Sequence, residues 1–276
     1  MGLRINTNIA SQEVQRNLRT ASSDQEAEFA KLSSGKRINK SSDDAAGLVI
    51  SKKMEASTRG LRMASRNAND AISLVQVAEG ALNETSNILT RLRELSIQAG
   101  SDTVGDEERS FMSLEYEQLV AEADRISKTT LFNGRSLLRG EGDVLSFQVG
   151  AYDGEENIIE MDSSISDSSS ESLGIDGTNI RDKDGALSNL ERLDSAIGKV
   201  SGFRSNFGAI QSRLQSSMNT LDTATVNLDS ARSRIEDVDI AESTAKLASA
   251  QIRSAAGTSA LVQANQFGAS ALKLIS

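Results

Sequence analysis

Residues 54–92 read MEASTRGLRMASRNANDAISLVQVAEGALNETSNILTRL, and apolar side chains recur along this stretch in alternating steps of three and four. The series runs through positions 54, 57, 61, 64, 68, 71, 75, 78, 82, 85, 89 and 92, and ten of these twelve positions are apolar. Such sustained heptad spacing predicts a long helix in a coiled coil rather than a short helix on a globular core. We therefore expect a mainly α fold, built as a bundle of long helices.

A second heptad series, in the last third of the chain, supplies a partner for the first. It begins at Ala186 and ends at Ile235, and eleven of its fifteen positions are apolar. A shorter series over Met112–Ile126 predicts a third helix, separated from the first by Gly100 and Gly105. We expect the first and third helices to form a hairpin and the first and second series to pack together.

The residue types that are missing from the chain exclude more kinds of function than the residue types that are present. The 276 residues include no proline, cysteine or histidine, and the net charge is −9. Proline breaks helix interiors, so its absence suits long helices. Without cysteine and histidine there are no disulfides, no thiol nucleophile, no imidazole acid–base group and no Cys/His metal site. The acidic balance argues against nucleic acid as a partner.

A membrane is not an expected partner either, because the sequence has no apolar run of about 18 residues that could span one. The segment 1–19 also lacks the apolar core of a cleaved signal peptide. Taken alone, these features predict a cytoplasmic protein or one exported without a cleaved signal.

Both ends of the chain carry helical apolar stripes of their own. The N-terminal stripe includes Leu18, Phe29 and Leu32, and the C-terminal helix has a wide apolar face rich in Ala, Ser and Gly. Small residues let helices approach closely, so we expect the two terminal helices to pair. The predicted domains are a discontinuous terminal-helix domain, 1–42 with 236–276, and a helical-bundle domain, 43–235.

The centre of the chain departs from helical spacing. Apolar and polar residues alternate over 145–151, which predicts a strand, and Ile159 and Met161 supply a partner strand. Asp153-Gly154 suits the intervening turn. We therefore expect a small β-hairpin near 144–161, followed by an exposed Ser/Asp/Gly-rich loop over 163–179.

Three patterns that could suggest ligand chemistry fail on inspection. Gly35-Lys36 resembles part of a phosphate loop, but Arg37 stands where Ser or Thr should bind magnesium. The run 182–185 resembles a calcium loop whose first position, Ile180, cannot be a ligand. Glu94 and Glu115 are better explained as a charged helix face than as a catalytic pair. We expect no catalytic residue, cofactor or metal.

Short motifs in a fixed order give the chain a family resemblance. They are INTNI at 5–9, KLSSGKRINKSSDDAAGLVIS at 31–51, NANDAIS at 67–73, AEGAL at 78–82, RLREL at 91–95, FNG at 132–134, SRIEDVD at 233–239 and AGTSALVQAN at 256–265. Together these motifs resemble the two terminal regions of the bacterial flagellins. Only 140–185 lies between the matching arms, so the chain resembles a minimal flagellin without variable outer domains. Gln25 and Lys36 are polar where the family usually has an apolar residue, and Arg253 is charged near a usually apolar position.

The resemblance implies a structural subunit that polymerises into the bacterial flagellar filament for swimming, located outside the cell after type III export. Its implied partners are further copies of itself, an export chaperone, and the cap and hook-junction proteins. The terminal helices are expected to form the inner tube of the filament. The residues expected to make those polymer contacts are Leu18, Phe29, Leu32, Ile252, Leu261, Val262, Leu272 and Ile275.

The resemblance also implies a second surface, at Arg91, Leu95 and Glu115. Flagellins of several bacterial groups present residues there to the vertebrate toll-like flagellin receptor, although contact between neighbouring subunits is the expected primary role. An alternative function is that of the flagellin-like junction protein between hook and filament. The full SRIEDVD and AGTSALVQAN motifs favour the filament subunit.

Overall fold

The computed structural model describes the backbone of residues 7–140 and 144–273 and the side chains as far as residue 266. Five long helices dominate the described residues. The first four are α1, Ile9–Ser34; α2, Ala45–Ala99; α3, Asp106–Thr129; and, after a short helix α4 at Ser170–Leu173, α5, Lys183–Glu236. The last helix, α6, covers Ile240–Lys273. The long helices that the heptad series predict are thus confirmed.

Four strands form two antiparallel pairs. The strands β1, Leu131–Phe132, and β2, Arg135–Ser136, form a tight hairpin, in which Asn133 and Gly134 have φ values of 49° and 79°. Both residues therefore take the left-handed conformation that a two-residue hairpin turn requires. The strands β3, Val144–Gln148, and β4, Ile158–Asp162, form the predicted central hairpin, with Leu145 opposite Met161 and Phe147 opposite Ile159.

The chain divides into two compact units. The first comprises residues 1–56 and 227–276, and the second comprises 57–226. The divisions fall inside α2 and α5, whereas the domain boundaries expected from sequence lie at the breaks before and after those helices.

One continuous core holds the second unit together, and it draws its side chains from α2, α3, the β3–β4 hairpin, the segment 163–180 and α5. Ala68, Ala71, Val75 and Leu82 of the first heptad series lie in the same buried cluster as Leu193, Val200, Phe207 and Leu214 of the second. Arg93 pairs with Asp194 at 2.6 Å, and a Cβ on Gly100 would lie 2.9 Å from Leu187. Because these contacts run in opposite chain directions, α2 and α5 are antiparallel.

The segment 163–179 corrects the expectation of an exposed loop. Ser163, Ser166, Ser168 and Ser170 are buried, together with apolar residues further along the segment. Hydrogen bonds offset the cost of burying polar groups: the Ser168 amide donates to the Leu138 carbonyl at 3.0 Å, and the hydroxyls of Tyr116 and Thr178 lie 2.9 Å apart. Burial also raises the pKa of Tyr116, because it disfavours the phenolate.

Candidate assembly interface

Small side chains line the contact between α1 and α6. The residues buried in these two helices are Ser11, Ala21, Ser243, Ala250 and Ala264. A Cβ added at Gly257 would lie 3.0 Å from Cγ of Leu18, so α6 approaches α1 closely at this point. The pair is antiparallel, and the prediction that the terminal helices pack together is confirmed.

Polar contacts fix the register of this helix pair along its length. The Asn8 amide donates to the Ala264 carbonyl at 2.9 Å, and the Ser11 hydroxyl donates to Oδ1 of Asn265 at 3.0 Å. At the other end, the Ser243 hydroxyl donates to Glu28 at 2.5 Å. Each contact joins residues more than 200 positions apart in sequence.

Two charged groups also help to fix the register of the α1–α6 pair. Arg253 pairs with Asp24 across the two helices at 3.1 Å. Burial alone would raise the pKa of Glu28, but hydrogen bonds from Lys31 and Ser243 and the nearby charges of Lys31 and Lys246 hold it below its ordinary value. The ionised form of Glu28 is therefore favoured in the paired helices.

Several large apolar residues of α1 and α6 are exposed in the pair. Phe29, Ile252 and Val262 are 59%, 69% and 59% exposed, whereas Leu18, Leu32 and Leu261 are half-buried. The side chains of Leu272 and Ile275 lie outside the described residues. Two further apolar residues at helix starts, Ile9 and Ile240, are exposed and were not among the predicted contacts. The helix pair therefore leaves an apolar surface without a partner from its own helices.

The segment between α1 and α2 lies beside the segment between α5 and α6, next to this helix pair. α1 ends at Gly35, whose φ is 71°, and the segment 35–38 runs antiparallel to 235–238 through a β-bridge between Lys36 and Asp237. α6 begins beyond this bridge, with Oδ1 of Asp239 accepting from the amides of Ala241 and Glu242 at 2.9 and 3.1 Å. We call the paired segments 35–38 and 235–238 the crossover junction.

The start of α2 is capped by Asp44. Oδ1 of Asp44 accepts from the Gly47 amide at 2.8 Å, as an N-cap carboxylate does. Asp43 instead stabilises the preceding turn, because its Oδ2 accepts from the amides of Asn39 and Lys40 at 2.9 Å. These backbone hydrogen bonds lower the pKa of Asp43.

A second exposed surface lies on α2 and α3. Arg91 contacts Glu115 at 2.8 Å and Glu94 at 3.1 Å, and hydrogen bonds from its guanidinium to Glu115 and Glu94 raise its pKa. Leu95, which the resemblance placed on this surface, is 1% exposed and belongs to the core of the second unit. The placement of Leu95 on the surface is corrected: its position in α2 turns the side chain inward, while Arg91, one turn earlier, remains exposed.

Exposed apolar residues lie near the Arg91–Glu115 pair. Ile97 is on α2, and Phe111 and Leu114 are on α3; all three are at least half exposed. Elsewhere in the second unit, an apolar groove is lined by Leu61, Tyr152 and Leu221 among other residues. A patch and a groove of this kind are typical of association surfaces.

The patterns that could have suggested ligand chemistry have structural roles. Oδ2 of Asp182 accepts from the Gly185 amide at 3.0 Å in the first turn of α5. Glu94 and Glu115 both contact Arg91. Within residues 7–140 and 144–273 there is no group of three His, Cys, Asp or Glu side chains that could hold a metal ion. In the same part of the chain no helix is long and apolar enough to cross a membrane.

Comparison with protein families and curated proteins places the chain among known sequences. Residues 5–143 match the family profile of the bacterial flagellin N-terminal helical region, and 190–275 match that of the C-terminal helical region. The chain is 41% identical to a flagellin of Halalkalibacterium halodurans over 98% of its own length and 99% of that protein. It is 39% identical to the Bacillus subtilis flagellin, covering 99% of this chain and all of that one.

Other comparisons add a filament protein and solved folds. The chain is 38% identical to the flagellar filament core protein flaB2 of Brachyspira hyodysenteriae over 98% of this chain and 99% of that one. The crystal structure of Bacillus cereus flagellin is similar with a TM-score of 0.51 at 31% identity, covering 56% of this chain and 88% of that chain. A putative flagellar hook-associated protein from Vibrio parahaemolyticus shares the fold, with a TM-score of 0.59 at 13% identity over 71% of this chain and all of that one.

Proposed function

We infer that this chain, which belongs to the bacterial flagellin family, is a structural subunit of the bacterial flagellar filament. Both terminal family regions are present, and relatives named as flagellins or as a filament core protein match over nearly their whole length. The observation that carries the inference is the unpartnered apolar surface on the α1–α6 pair. Such a surface is typical of a protein–protein contact.

In the proposed filament, this apolar surface is buried against neighbouring copies in the inner tube. Phe29, Ile252 and Val262 lie on it, and Ile9 and Ile240 extend it. Leu18, Leu32 and Leu261 are half-buried, so they contribute to the helix pair as well as to the contact. Leu272 and Ile275 are proposed contacts from the sequence alone. The functional division into 1–42 with 236–276 and 43–235 is part of the same proposal.

We assign the second surface to contact between subunits of the same filament. The patch at Ile97, Phe111 and Leu114 and the groove beside Leu61 are separated along α2 by 36 residues, or about 54 Å of helix. A contact between different surfaces on successive copies is heterologous, and it builds an open helical filament when the rotation between copies does not close a ring. Arg91 and Glu115 border the patch and are exposed, so they are the residues there that a host toll-like receptor could reach.

Location, export and further partners follow from the family assignment. The proposed subunit acts outside the cell after type III export, and it meets an export chaperone, the cap and the hook-junction proteins on its route. Bacterial flagellins are structural proteins, and we propose that this chain has no catalytic role. The full-length match to flagellins favours the filament over the hook–filament junction.

Electron microscopy of the purified chain tests the proposal. After seeding with sonicated filament fragments, the chain should grow into long helical filaments. A variant with both Ile252→Asp and Val262→Asp should remain monomeric, because the two carboxylates would be buried without partners in the polymer. Absence of filaments from the unmodified chain, with its helical circular dichroism spectrum intact, would contradict the assignment.

A further inference from the structure

The crossover junction joins two segments that are far apart in the chain. The Arg37 amide donates to the Glu236 carbonyl at 2.7 Å, and the Val238 amide donates to the Gly35 carbonyl at 3.0 Å. The Arg37 guanidinium also donates to the Ile235 carbonyl, at 2.7 and 3.2 Å, across a separation of 198 residues. The end of α1 and the start of α6 are therefore held side by side.

In one ion pair of the junction the carboxylate is buried, while the lysine that it contacts is exposed. Glu236 is 4% exposed, and its Oε1 lies 2.5 Å from Nζ of Lys36, whose side chain is 46% exposed. A buried carboxylate that loses its counter-ion is strongly destabilising, because the charge stays out of water without compensation. The pairing with Glu236 gives Lys36 a specific role.

The helix pair next to the junction has little hydrophobic stabilisation of its own. Its buried residues are alanines and serines, so pairing removes a small apolar area from water. The two helices also belong to opposite ends of the chain, and bringing them together costs loop-closure entropy. A contact that fixes the first turn of the pair reduces this entropic cost for every contact beyond it.

We propose that Lys36 and Glu236 form an ionic latch that makes the ordering of α1 and the ordering of α6 depend on each other. The latch fixes the end of α1 against the start of α6, and the polar contacts from Glu28–Ser243 to Asn8–Ala264 then close in sequence. Lys36 and Glu236 are thus positioning residues for the apolar surface that polymerisation buries. The proposal rests on the filament function, since that surface matters only if subunits assemble.

A charge-swap experiment on the full chain tests the latch. The critical concentration for seeded polymerisation is measured for Lys36→Glu, Glu236→Lys and the double swap. We expect each single reversal to raise it at least tenfold, which corresponds to 1.4 kcal/mol, and the double swap to restore it to within about threefold of the parent. The matched control is Glu13→Arg with Arg16→Glu, an exposed pair on α1 at 3.3 Å, for which single reversals should have less than a twofold effect.

The outcomes separate the latch from the filament function. If the parent chain forms no filaments, the proposed function fails. If the parent polymerises but the single reversals change the critical concentration less than twofold, or the double swap is as defective as they are, the latch is wrong. The neutral variant Glu236→Gln should show a smaller, severalfold rise. A single reversal that also lowers the main thermal unfolding transition of the chain, without recovery in the double swap, would overturn a role confined to the junction.

Discussion

At the scale of single residues, a shift of one position along the sequence separates a core side chain from a surface side chain. Ala71 is 1% exposed in the core of the second unit, while its neighbour Asp70 is exposed. Arg109 is 8% exposed and donates to the carbonyls of Ala99 and Ser101 at 2.8 and 3.0 Å. Its guanidinium therefore satisfies orphan carbonyls where α2 ends and stabilises the turn into α3.

Ala71→Arg should destabilise the bundle of the second unit. Overpacking a core costs about 1–3 kcal/mol, and the guanidinium adds the cost of burying a charge. We expect the melting midpoint, measured by circular dichroism, to fall by at least about 4 °C. Asp70→Arg is the matched control, because it adds the same side chain one position away on the exposed face, and its midpoint should change little. Equal midpoints for the two variants would mean that this face of α2 is not core.

Glu28 should make the stability of the helix pair depend on pH. Its pKa in the paired state lies below the ordinary value of 4.5, so its contribution is fully present above that value and is lost as the pH falls through the lowered pKa. Filaments should therefore dissociate at lower temperature on acidification. Glu28→Gln should lower the dissociation temperature at neutral pH and show a smaller further fall in acid.

The control for this pH effect is Glu26→Gln on the same helix, since Glu26 is exposed. Its dissociation temperatures should follow those of the parent chain across the pH range. Parallel curves for Glu28→Gln and the parent would show that Glu28 contributes no pH dependence.

At the scale of helices, α1 and α6 differ from the helices of the bundle in what they bury. The bundle helices bury leucine, valine and phenylalanine, including Leu82, Val200 and Phe207, which are all 0% exposed. The terminal pair buries small residues fully, buries some leucines only in part, and exposes Phe29, Ile252 and Val262. Exposed large apolar residues are expected of a helix pair that is completed by other subunits.

Leu261→Asp should abolish filament growth and leave the bundle folded. Leu261 is half-buried on the apolar side of α6, and an ionised carboxylate there would cost several kcal/mol in the polymer. We expect no filaments in electron micrographs and an unchanged main melting transition. Gln263→Asp adds the same charge at an exposed position two residues away and should polymerise more readily. Filaments of normal length from Leu261→Asp would reject this face of α6 as a polymer contact.

At the scale of the whole molecule, the distribution of buried residues predicts unequal stability. The second unit has a continuous core of large side chains, whereas the contacts of the α1–α6 pair are mainly small and polar. Regions with few buried apolar contacts open at lower free energy than the core. Folding of the terminal helices should therefore be coupled to assembly, as in other segments that gain most of their buried surface on binding.

Limited proteolysis should reveal this coupling. In the monomer we expect both ends to be trimmed, leaving a resistant fragment close to 43–235, while the same sites should be protected in filaments. Mass spectrometry of the fragments defines their ends. Ends that resist digestion equally in the monomer and in the filament would show that the terminal helices are ordered before assembly.

Some features of this protein follow from the sequence alone, because they depend on local spacing. The heptad series specify the positions that α2, α3 and α5 turn inward: none of the residues of the three series is exposed. Alternation over 145–149 is sufficient to predict β3, and the ordered motifs are sufficient to identify the family. Periodicity and turn chemistry are properties of neighbouring residues, so no tertiary information is needed to read them.

Other features were decided only by tertiary structure. Ser163, Ser166, Ser168 and Ser170 look like loop residues and are buried. Two of them are satisfied by partners that are distant in sequence: the Leu138 carbonyl for Ser168 and Asp124 for Ser170. Leu95 belongs to the RLREL motif and lies in the core. The pairing of Lys36 with Glu236 joins positions 200 residues apart. A sequence shows which groups are polar or charged. Whether such a group is buried and satisfied depends on partners that only the folded chain brings within reach.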